Sequence, residues 1–389
     1  MSERWRVLAL LFLIRTTMAF QFGSVGALGP LVGQVFQVDA ADVGLLIGLY
    51  LSPGIVIALP GGAIGRFFGD KRAVLAGLAL MTLGGAVMTF GATWEAQIVG
   101  RVLAGVGGLV LNVLMTKMVT DWFAGREIAT AMAIFINSWP VGIAIALVAQ
   151  PFVAAAGGIS GAFGLTAALA ALGFAALLMF YRQPPGGASA GGGFPRGAEL
   201  TALLIAATIW GLYNAALSMI FGFGPILLTG RGWELVAASS ATSLAIFVLA
   251  VTVPLGGYIA DRTGRFGPTI VIGMGLAAAT LVALPRFDAA VTVLILFGIV
   301  AGPPAGAIMS LPARVLAPET RALGMGIFYT LFYAFVVIAP LIAGALLDWT
   351  GWDGAAMDLG AAMMLLGIGL LALFERVARR ATAAVRAVQ

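Results

Sequence analysis

The sequence contains neither cysteine nor histidine, and it carries little charge of either sign. Without cysteine the chain can form no disulfide bond, no thiolate metal site and no thiol redox centre. Without histidine it lacks the commonest metal ligand and the usual proton carrier near neutral pH. We therefore expect no metal site, no cofactor and no enzymatic chemistry.

Charged residues make up 10% of the 389 residues, whereas hydrophobic residues make up 61% and the mean hydropathy is +1.07. A soluble domain carries roughly 25% charged residues. A surface with so little charge would not remain in water, so we expect membrane lipid to surround most of the chain. The isoelectric point near 10.0 could suggest nucleic-acid binding. The basic residues stand singly at the ends of apolar runs, however, and form no basic patch, so we expect no nucleic-acid partner.

Twelve apolar stretches divide the chain, and each is long enough to cross ~30 Å of hydrocarbon as a helix. They show no alternation of period two and are about twice as long as a barrel strand. The first stretch is too long for the core of a signal peptide, and no small-residue cleavage site follows it. We predict an all-α membrane protein with spans at residues 5–32, 43–65, 73–92, 95–119, 128–152, 160–181, 199–224, 236–259, 267–285, 290–312, 322–346 and 355–374.

A long polar segment rich in glycine and proline, RQPPGGASAGGGFPRG, begins at Arg182 and separates the sixth span from the seventh. Such a segment has no apolar face to bury, so it predicts a flexible cytoplasmic linker over residues 182–198. The linker divides the chain into an N-terminal bundle, residues 1–181, and a C-terminal bundle, residues 199–389. Because each half has an even number of spans, the halves run parallel and are related by an axis along the membrane normal.

The basic residues lie almost entirely on one side of the predicted membrane. With a cytoplasmic N-terminus, the outer loops hold only Arg231 and Arg286. Cytoplasmic loops are enriched in Lys and Arg, so we predict a multi-pass protein of the bacterial inner membrane with both termini in the cytoplasm. The inner loops and tails would then hold Arg4, Arg6, Arg66, Lys71, Arg72, Arg126, Arg182, Arg196, Arg262, Arg265, Arg314, Arg321, Arg376, Arg379, Arg380 and Arg386.

Two cytoplasmic loops repeat a pattern, GAIGRFFGDK from Gly62 and GYIADRTGRF from Gly257. The second closely resembles the signature of the major facilitator superfamily, G-x-L-A-D-R-x-G-R-[RK]. The family's span-4 motif, R-x-x-x-G-x-G, appears as RVLAGVG from Arg101. By this resemblance the chain is identified as a member of the superfamily. The resemblance implies two pseudo-symmetric bundles of six helices, with spans 1, 4, 7 and 10 lining a cavity between them.

Three further segments resemble the cyanate, nitroimidazole and nitrate/nitrite permeases within that superfamily. They are Arg15 followed by GPL from Gly29, NSWP from Asn137, and the stretch from FGPI at Phe223 through GW at Gly232.

The resemblance also implies that Asp261, near Arg262 and Arg265, forms an ionic latch that stabilises one conformation. In the first copy of the loop Arg66 stands at the acidic position and Asp70 at the first basic position. We expect a pairing of reversed polarity there, with an ordinary charged turn as the alternative.

Apart from Arg6, Glu95, Glu199 and Asp358 near span ends, Arg15, Arg101 and Lys117 are the only charged residues within the predicted spans. A cation at mid-bilayer costs at least ~2.5–3.5 kcal/mol, and the acidic residues all fall in loops or near span ends. Arg15 lies roughly 14 Å along the helix from Arg6, close to the midplane. We expect it to bind an anionic substrate. The alternative is a structural arginine that donates to carbonyls or hydroxyls of neighbouring helices.

The other two cations have alternatives of their own. Arg101 shares a helix face with Asn112, and either helix packing or coupling would explain it. Lys117 lies close enough to the cytoplasmic end of span 4 for its ammonium to reach the interface, or it contributes to the inner mouth of the pathway.

Polar and aromatic residues near mid-depth complete a candidate cavity. A shift of 195 residues superposes the two loops and carries Arg15 onto Trp210. Each residue alone is more often a packing residue than a ligand. As a set they predict a small amphiphilic site with a positive centre. The set comprises Gln21, Ser24, Tyr50, Asn112, Asn137, Trp139, Trp210, Tyr213, Asn214, Tyr329 and Tyr333.

We predict a monomeric secondary active transporter that moves a small, anionic solute by alternating access, with Arg15 as the countercharge. The rival is a proton-coupled exporter of drugs or other organic solutes. That rival normally needs a titratable acid in the membrane and a G-P-x-x-G-G motif in span 5, where this chain has only WPVG from Trp139. A sensor or scaffold that no longer transports would need an additional cytoplasmic domain, which the sequence does not predict.

Overall fold

A computed structural model describes residues 3–58, 68–123, 128–182, 194–317 and 320–388. The described residues form helices joined by short turns, and no strand occurs among them. Residues 59–67, and most of the predicted linker, lie outside the described residues. The domain boundaries at residues 181 and 199 therefore stay a prediction.

The helices follow the predicted spans in order. Span 1 is Glu3–Ala27, continued by Gly29–Phe36, and span 2 is Ala40–Leu49 with Gly54–Ile57. Spans 5 and 6 form one continuous stretch, Ile128–Phe180. The others are Asp70–Phe90 for span 3, Trp94–Trp122 for span 4, Gly197–Gly230 for span 7, Leu235–Thr263 for span 8, Phe266–Ala283 for span 9, Ala290–Ala301, Pro304–Met309 and Pro312–Arg314 for span 10, Arg321–Thr350 for span 11 and Ala355–Val388 for span 12.

Eleven stretches of the described chain are long and apolar enough to cross a membrane. The longest of them covers 47 residues, Ile134–Phe180, and at 1.5 Å per residue it extends about 70 Å, far more than one crossing requires. Gly158 interrupts it with a left-handed φ of 65°, which only glycine adopts at little cost. The stretch therefore supplies spans 5 and 6, and the fold is the predicted twelve-helix bundle.

Several spans are broken where the sequence was predicted to be continuously helical. Span 2 stops at Leu49 and resumes at Gly54, because Pro53 has no N–H to donate and the Ser52 hydroxyl takes the Leu49 carbonyl instead, at 2.9 Å. Span 10 breaks in the same way at two consecutive prolines, Pro303 and Pro304. Non-helical backbone at membrane depth is tolerated where other protein groups satisfy it, and these breaks lie inside the bundle.

Contacts between the two halves gather at one end of the spans. We call the side of the membrane that carries both chain ends the terminus side, and the opposite side the far side. A Cβ built on Gly44 of span 2 would lie 2.1 Å from the carbonyl oxygen of Pro340 in span 11. A Cβ on Gly26 of span 1 would lie 2.4 Å from the Phe221 carbonyl of span 7. Backbones of the two halves therefore touch on the far side.

Candidate substrate-binding site

Arg15 is buried, with 8% of its surface exposed, and it faces span 5. Its Nη1 donates to the carbonyl oxygens of Phe135 and Ile136 at 3.1 and 3.0 Å, and to Ser138 Oγ at 3.1 Å. The Ile136 carbonyl is available because Pro140, four residues later, has no N–H to close the helical bond. Local sequence in span 5 thus creates acceptors for an arginine in span 1.

The remaining contacts of Arg15 are with span 4 and with aromatic rings. Its Nε donates to Asn112 Oδ1 at 2.9 Å. The guanidinium lies over the ring of Phe135, 4.9 Å from its centroid, and 5.8 Å from that of Trp139. Both geometries fall within the range of a cation–π interaction.

No carboxylate among the described residues forms an ion pair with Arg15. Its Nη2 makes no hydrogen bond with any described group, so one donor edge of the guanidinium stays free. The positive charge is held in place by dipoles and rings but is not neutralised. A buried charge in this state attracts an anion strongly, because little water screens it.

Asn112 connects Arg15 to the opposite half of the protein. Its Nδ2 donates to the hydroxyl oxygen of Tyr333 in span 11 at 3.2 Å. Of the hydrogen bonds between described residues of the two halves, this one alone lies near mid-depth. The others, from Ala40 N and Ala41 N to Asp348 and from Ser239 Oγ to the Ala27 carbonyl, lie towards the far side.

The C-terminal half contributes a cluster of aromatic side chains. Tyr333 packs against Phe332, with ring centroids 4.8 Å apart, and against Tyr329 at 6.4 Å. Trp210 of span 7 contacts Phe332 at 6.2 Å and stacks on Tyr213 at 5.6 Å. Asn112 bridges Arg15 and Tyr333, so this cluster borders the arginine.

Three donor groups of this region have no acceptor among the described residues. The indole Nε1 of Trp210 is buried and has no hydrogen-bond partner there. The Tyr329 hydroxyl and Arg15 Nη2 likewise make no hydrogen bond within the described part of the chain. Buried donors are normally paired, so unpaired donors at this site favour a ligand that supplies the acceptor.

Two residues predicted to line the cavity lie instead inside the N-terminal half. Gln21 Nε2 donates to the Met81 carbonyl at 3.0 Å, and its Oε1 faces the Tyr50 hydroxyl at 3.4 Å. Both side chains are fully enclosed, with 1% and 0% of their surfaces exposed. The sequence shows their depth in the membrane but not the direction in which they point, and the structure favours a packing role for them.

Arg101 is completely buried and its donors are all engaged. Its Nε, Nη1 and Nη2 donate to the carbonyl oxygens of Leu46, Gln21 and Phe22, at 2.9, 2.8 and 2.7 Å. Leu46 offers its carbonyl because the helix ends at Leu49, which leaves the last carbonyls without helical donors. The guanidinium also lies over the ring of Tyr50, 4.7 Å from the centroid. This geometry fastens spans 1, 2 and 4 together.

The glycines of the span-4 motif complete that packing. A Cβ on Gly105 would lie 2.3 Å from the Tyr50 carbonyl, and one on Gly107 would lie 2.2 Å from the Gly77 carbonyl of span 3. The R-x-x-x-G-x-G motif therefore combines an arginine that donates to free carbonyls with glycines that let two neighbouring helices approach span 4.

The other predicted residues divide between the cavity border and helix packing. Trp139 is half-buried and packs on Phe22, with ring centroids 5.0 Å apart. Tyr213 donates to the Ala301 carbonyl at 2.6 Å, beside the break in span 10, and is buried. Asn214 and Ser24 donate to carbonyls of their own helices, those of Trp210 and Gln21. Asn137 is half-buried beside Ser138 and makes no hydrogen bond with a described residue.

The charged loops are only partly described. Arg66 lies outside the described residues, so its predicted pairing with Asp70 stays a prediction. Asp70 does pair with Lys117, at 2.6 Å, and Lys117 also reaches Asp121 at 3.0 Å. Lys117 therefore holds two carboxylates at the terminus side, while its reach to the membrane interface stays a prediction.

In the second loop, the Asp261 side chain lies outside the described set. Arg262 lies over the ring of Tyr258, 5.0 Å from its centroid, and Arg265 is exposed at the start of span 9. The latch assigned to these residues stays a prediction.

Ser138, Phe135 and Asp348 were not predicted as functional residues from the sequence. Pro140 marked a different acceptor of Arg15, because it predicts a free carbonyl four residues earlier, at Ile136. No group of three or more His, Cys, Asp or Glu side chains that could hold a metal ion occurs in the described part of the chain.

These features define a polytopic α-helical membrane protein with a polar site between two bundles of spans. Residues 11–315 match the family described as the Major Facilitator Superfamily. The match covers more than half of the chain, and the protein belongs to this superfamily. It is accordingly a transporter and not an enzyme. No curated protein sequence matches the chain.

Solved structures of transporters share the fold over nearly the whole chain. A bacterial homolog of the human lysosomal transporter Spinster, inward-facing and unoccupied, is 17% identical with a TM-score of 0.72, covering 98% of this chain and 97% of the other. The nucleoside transporter NupG is 15% identical with a TM-score of 0.72, over 97% and 99%. An auto-inhibited peptide transporter of the POT family is 14% identical with a TM-score of 0.73, over 95% and 97%.

Proposed function

We propose that the protein transports a small monovalent anion by alternating access, with Arg15 as the countercharge. The observation that supports this is the free Nη2 of a buried arginine, surrounded by further donors and without a carboxylate among the described residues. An anion at Nη2 would neutralise the site and accept hydrogen bonds that nothing else accepts. One uncompensated cation calls for one negative charge, so a monovalent solute fits best.

The distribution of basic residues supports an orientation with both termini in the cytoplasm of a bacterium. In that orientation the far side is the outer side, and the described conformation is closed to the exterior. The site would then exchange its anion with the cytoplasm in this conformation and with the exterior after the halves rock.

A proton-coupled exporter is the less favoured function. Such a transporter needs an acid that titrates inside the membrane. The acids that pair with Lys117, namely Asp70 and Asp121, lie at the ends of spans 3 and 4, and no described carboxylate approaches Arg15. The resemblance to the cyanate, nitroimidazole and nitrate/nitrite permeases rests on sequence segments alone, and it guides the choice of anions to test.

Ligand-induced stabilisation of the purified protein tests this proposal. Sodium cyanate, nitrate, nitrite, formate and acetate would each replace sodium chloride at constant ionic strength. A ligand at about 100 times its Kd stabilises the folded state by ~2.7 kcal/mol, which raises the melting temperature measurably. We expect at least one anion to stabilise the native protein and to be taken up by proteoliposomes that contain it.

Arg15→Ala is the decisive variant, and Arg379→Ala is its control. Arg379 is exposed near the end of span 12, so its removal changes the net charge equally without touching the site. We expect Arg15→Ala to lose both the stabilisation and the uptake, and Arg379→Ala to keep both. If Arg15→Ala responds to the anion as the native protein does, the arginine is structural and the proposal is wrong.

A further inference from the structure

The amide of Asn112 has only one orientation that suits both of its neighbours. A guanidinium can only donate hydrogen bonds, so the atom that faces Arg15 Nε at 2.9 Å must be the amide oxygen. The amide NH₂ therefore faces Tyr333, and the phenol oxygen accepts its hydrogen bond at 3.2 Å. A flipped amide would place two donors against each other at Arg15.

This arrangement determines the role left to the Tyr333 hydroxyl. A phenol has one proton to donate and a lone pair with which to accept. Because the oxygen already accepts from Asn112, the proton points elsewhere, and no described group accepts it. Tyr333 is 3% exposed, so bulk water does not readily satisfy this donor. It joins Arg15 Nη2 as a second free donor, from the opposite half of the protein.

The two donors are close enough for one small anion to bridge them. One amide group and two hydrogen bonds separate Arg15 Nε from the Tyr333 oxygen, so these atoms lie no more than about 8 Å apart, and Nη2 is the neighbouring nitrogen of the same guanidinium. An anion with two oxygens about 2.2 Å apart, each accepting a hydrogen bond of about 2.8 Å, can span such a distance. A monatomic halide has a single accepting centre, so it can bridge only donors that lie within two hydrogen-bond lengths of each other.

We infer that Asn112 is a positioning residue that makes Tyr333 a donor, and that the substrate is an oxyanion bridging Arg15 and Tyr333. This inference rests on the anion transport proposed above and specifies its ligand chemistry: a carboxylate, nitrate or a similar anion with at least two oxygens. The bound anion links span 1 to span 11, so it ties the N-terminal half to the C-terminal half at the centre of the membrane.

Asn112→Asp gives the sharpest test because it changes charge with almost no change in shape. The new carboxylate would form an ion pair with Arg15 at Nε and accept the Tyr333 proton, so the uncompensated charge and the free Tyr333 donor would both disappear. We expect a higher melting temperature without ligand and at least a tenfold loss of affinity for nitrate and acetate. A purely structural asparagine would give a lower melting temperature and an unchanged affinity. Gln34→Glu, an added acid on the exposed surface, is the control.

Tyr333→Phe provides a second test that does not depend on the first variant folding. Loss of one hydrogen bond to a charged ligand lowers affinity by about tenfold or more. We expect nitrate and acetate to bind this variant about tenfold more weakly. Bromide, which is bound by Arg15 alone, should change by less than twofold. The discrimination between nitrate and bromide should therefore fall. Tyr258→Phe, in the exposed part of span 8, should change neither affinity.

The possible results separate this inference from the proposed function. If nitrate and acetate stabilise the native protein and Arg15→Ala abolishes the effect, the anion site is established. If Asn112→Asp and Tyr333→Phe then keep native affinity and native discrimination against bromide, the bridging role is wrong while anion transport stands. If none of the anions tested stabilises the native protein, the proposed function itself fails.

Discussion

Asp348, at the far-side end of span 11, accepts hydrogen bonds from the backbone N–H groups of Ala40 and Ala41 at the start of span 2. Its two carboxylate oxygens lie 3.2 and 2.8 Å from those nitrogens. A helix N-terminus carries a partial positive charge and unpaired N–H groups, so a carboxylate from the other half is well placed there. The contact joins the two halves at the closed end of the pathway.

Asp348→Asn should loosen this closed end. Hydrogen bonds to a charged group contribute about 1.5–3 kcal/mol, but Asp348 is exposed, so we expect ~1 kcal/mol and about a fivefold shift towards the state open on the far side. The chain has no cysteine, so Ile47→Cys, buried near Gly222, introduces a single label site. The double variant combines Ile47→Cys with Asp348→Asn. Its rate of modification by a membrane-impermeant maleimide should be about fivefold higher than that of Ile47→Cys alone.

Asp353→Asn is the matched control, because Asp353 lies on the same side of the membrane and is exposed without contacting span 2. We expect the variant that combines Ile47→Cys with Asp353→Asn to be labelled at the same rate as Ile47→Cys alone. Equal rates in the Asp348 and Asp353 variants would show that the Asp348 contact does not hold the closed state.

Gly344→Ala should hinder closure by steric conflict. A Cβ on Gly344 would lie 2.1 Å from the Ala40 carbonyl oxygen and 2.6 Å from the Ala41 Cα, which are backbone atoms that cannot rotate away. We expect faster maleimide labelling at position 47 and slower net transport. Gly275→Ala is the control, since the nearest atom to its Cβ would be 3.9 Å away. Native labelling and transport in Gly344→Ala would contradict the described far-side packing.

Arg15 and Arg101 should respond differently to removal. Arg101→Ala removes three buried hydrogen bonds that join spans 1, 2 and 4, so we expect a loss of about 3 kcal/mol or more in stability, with poor recovery of folded protein. Arg15→Ala removes a charge that lacks a counterion, and we expect a smaller loss of stability together with a complete loss of anion response. Melting temperatures measured with and without nitrate would distinguish the two. Similar melting temperatures for both variants would argue against the structural role of Arg101.

The ion pair between Asp70 and Lys117 predicts a charge-swap rescue. Lys117→Asp would face two carboxylates, and Asp70→Lys would face a cation, so each single change should impair folding or transport. The double change restores opposite charges at that contact and should recover part of the loss. Because Lys117 is 36% exposed, we expect a coupling energy of ~1 kcal/mol or less from a double-mutant cycle. Strictly additive effects would show that the two residues are not coupled.

Much of the fold could be predicted from the sequence because lipid imposes a simple requirement on every span. A crossing segment must be apolar, about 20 residues long and helical, and these properties are local. The breaks in the spans were also marked in the sequence, by Pro53 and by the pair Pro303 and Pro304, although they were not predicted. The break between spans 5 and 6 appears at Gly158, within the predicted loop.

The candidate site could be predicted only in part. Arg15, Asn112 and Tyr333 were singled out, and the structure brings them together through two hydrogen bonds. Gln21 and Tyr50 were singled out on the same grounds and lie in the packed interior of one half. Residues at similar depth point in different directions around a helix. Whether such a residue meets a cavity or a packed core depends on which helix packs beside it, at an interaxial distance of about 8–10 Å.

The sequence by itself determined that this protein spans the membrane, about where each span lies, and that its interior contains two arginines without a nearby acid. It did not determine what those arginines do, because Arg15 and Arg101 look alike as single cations in apolar runs. Tertiary structure decided this by placing three carbonyl acceptors around Arg101 and by leaving Nη2 of Arg15 unpaired. The physical reason is that hydrogen-bond satisfaction depends on acceptors 55 to 120 residues away, which only the packing of helices brings within about 3 Å.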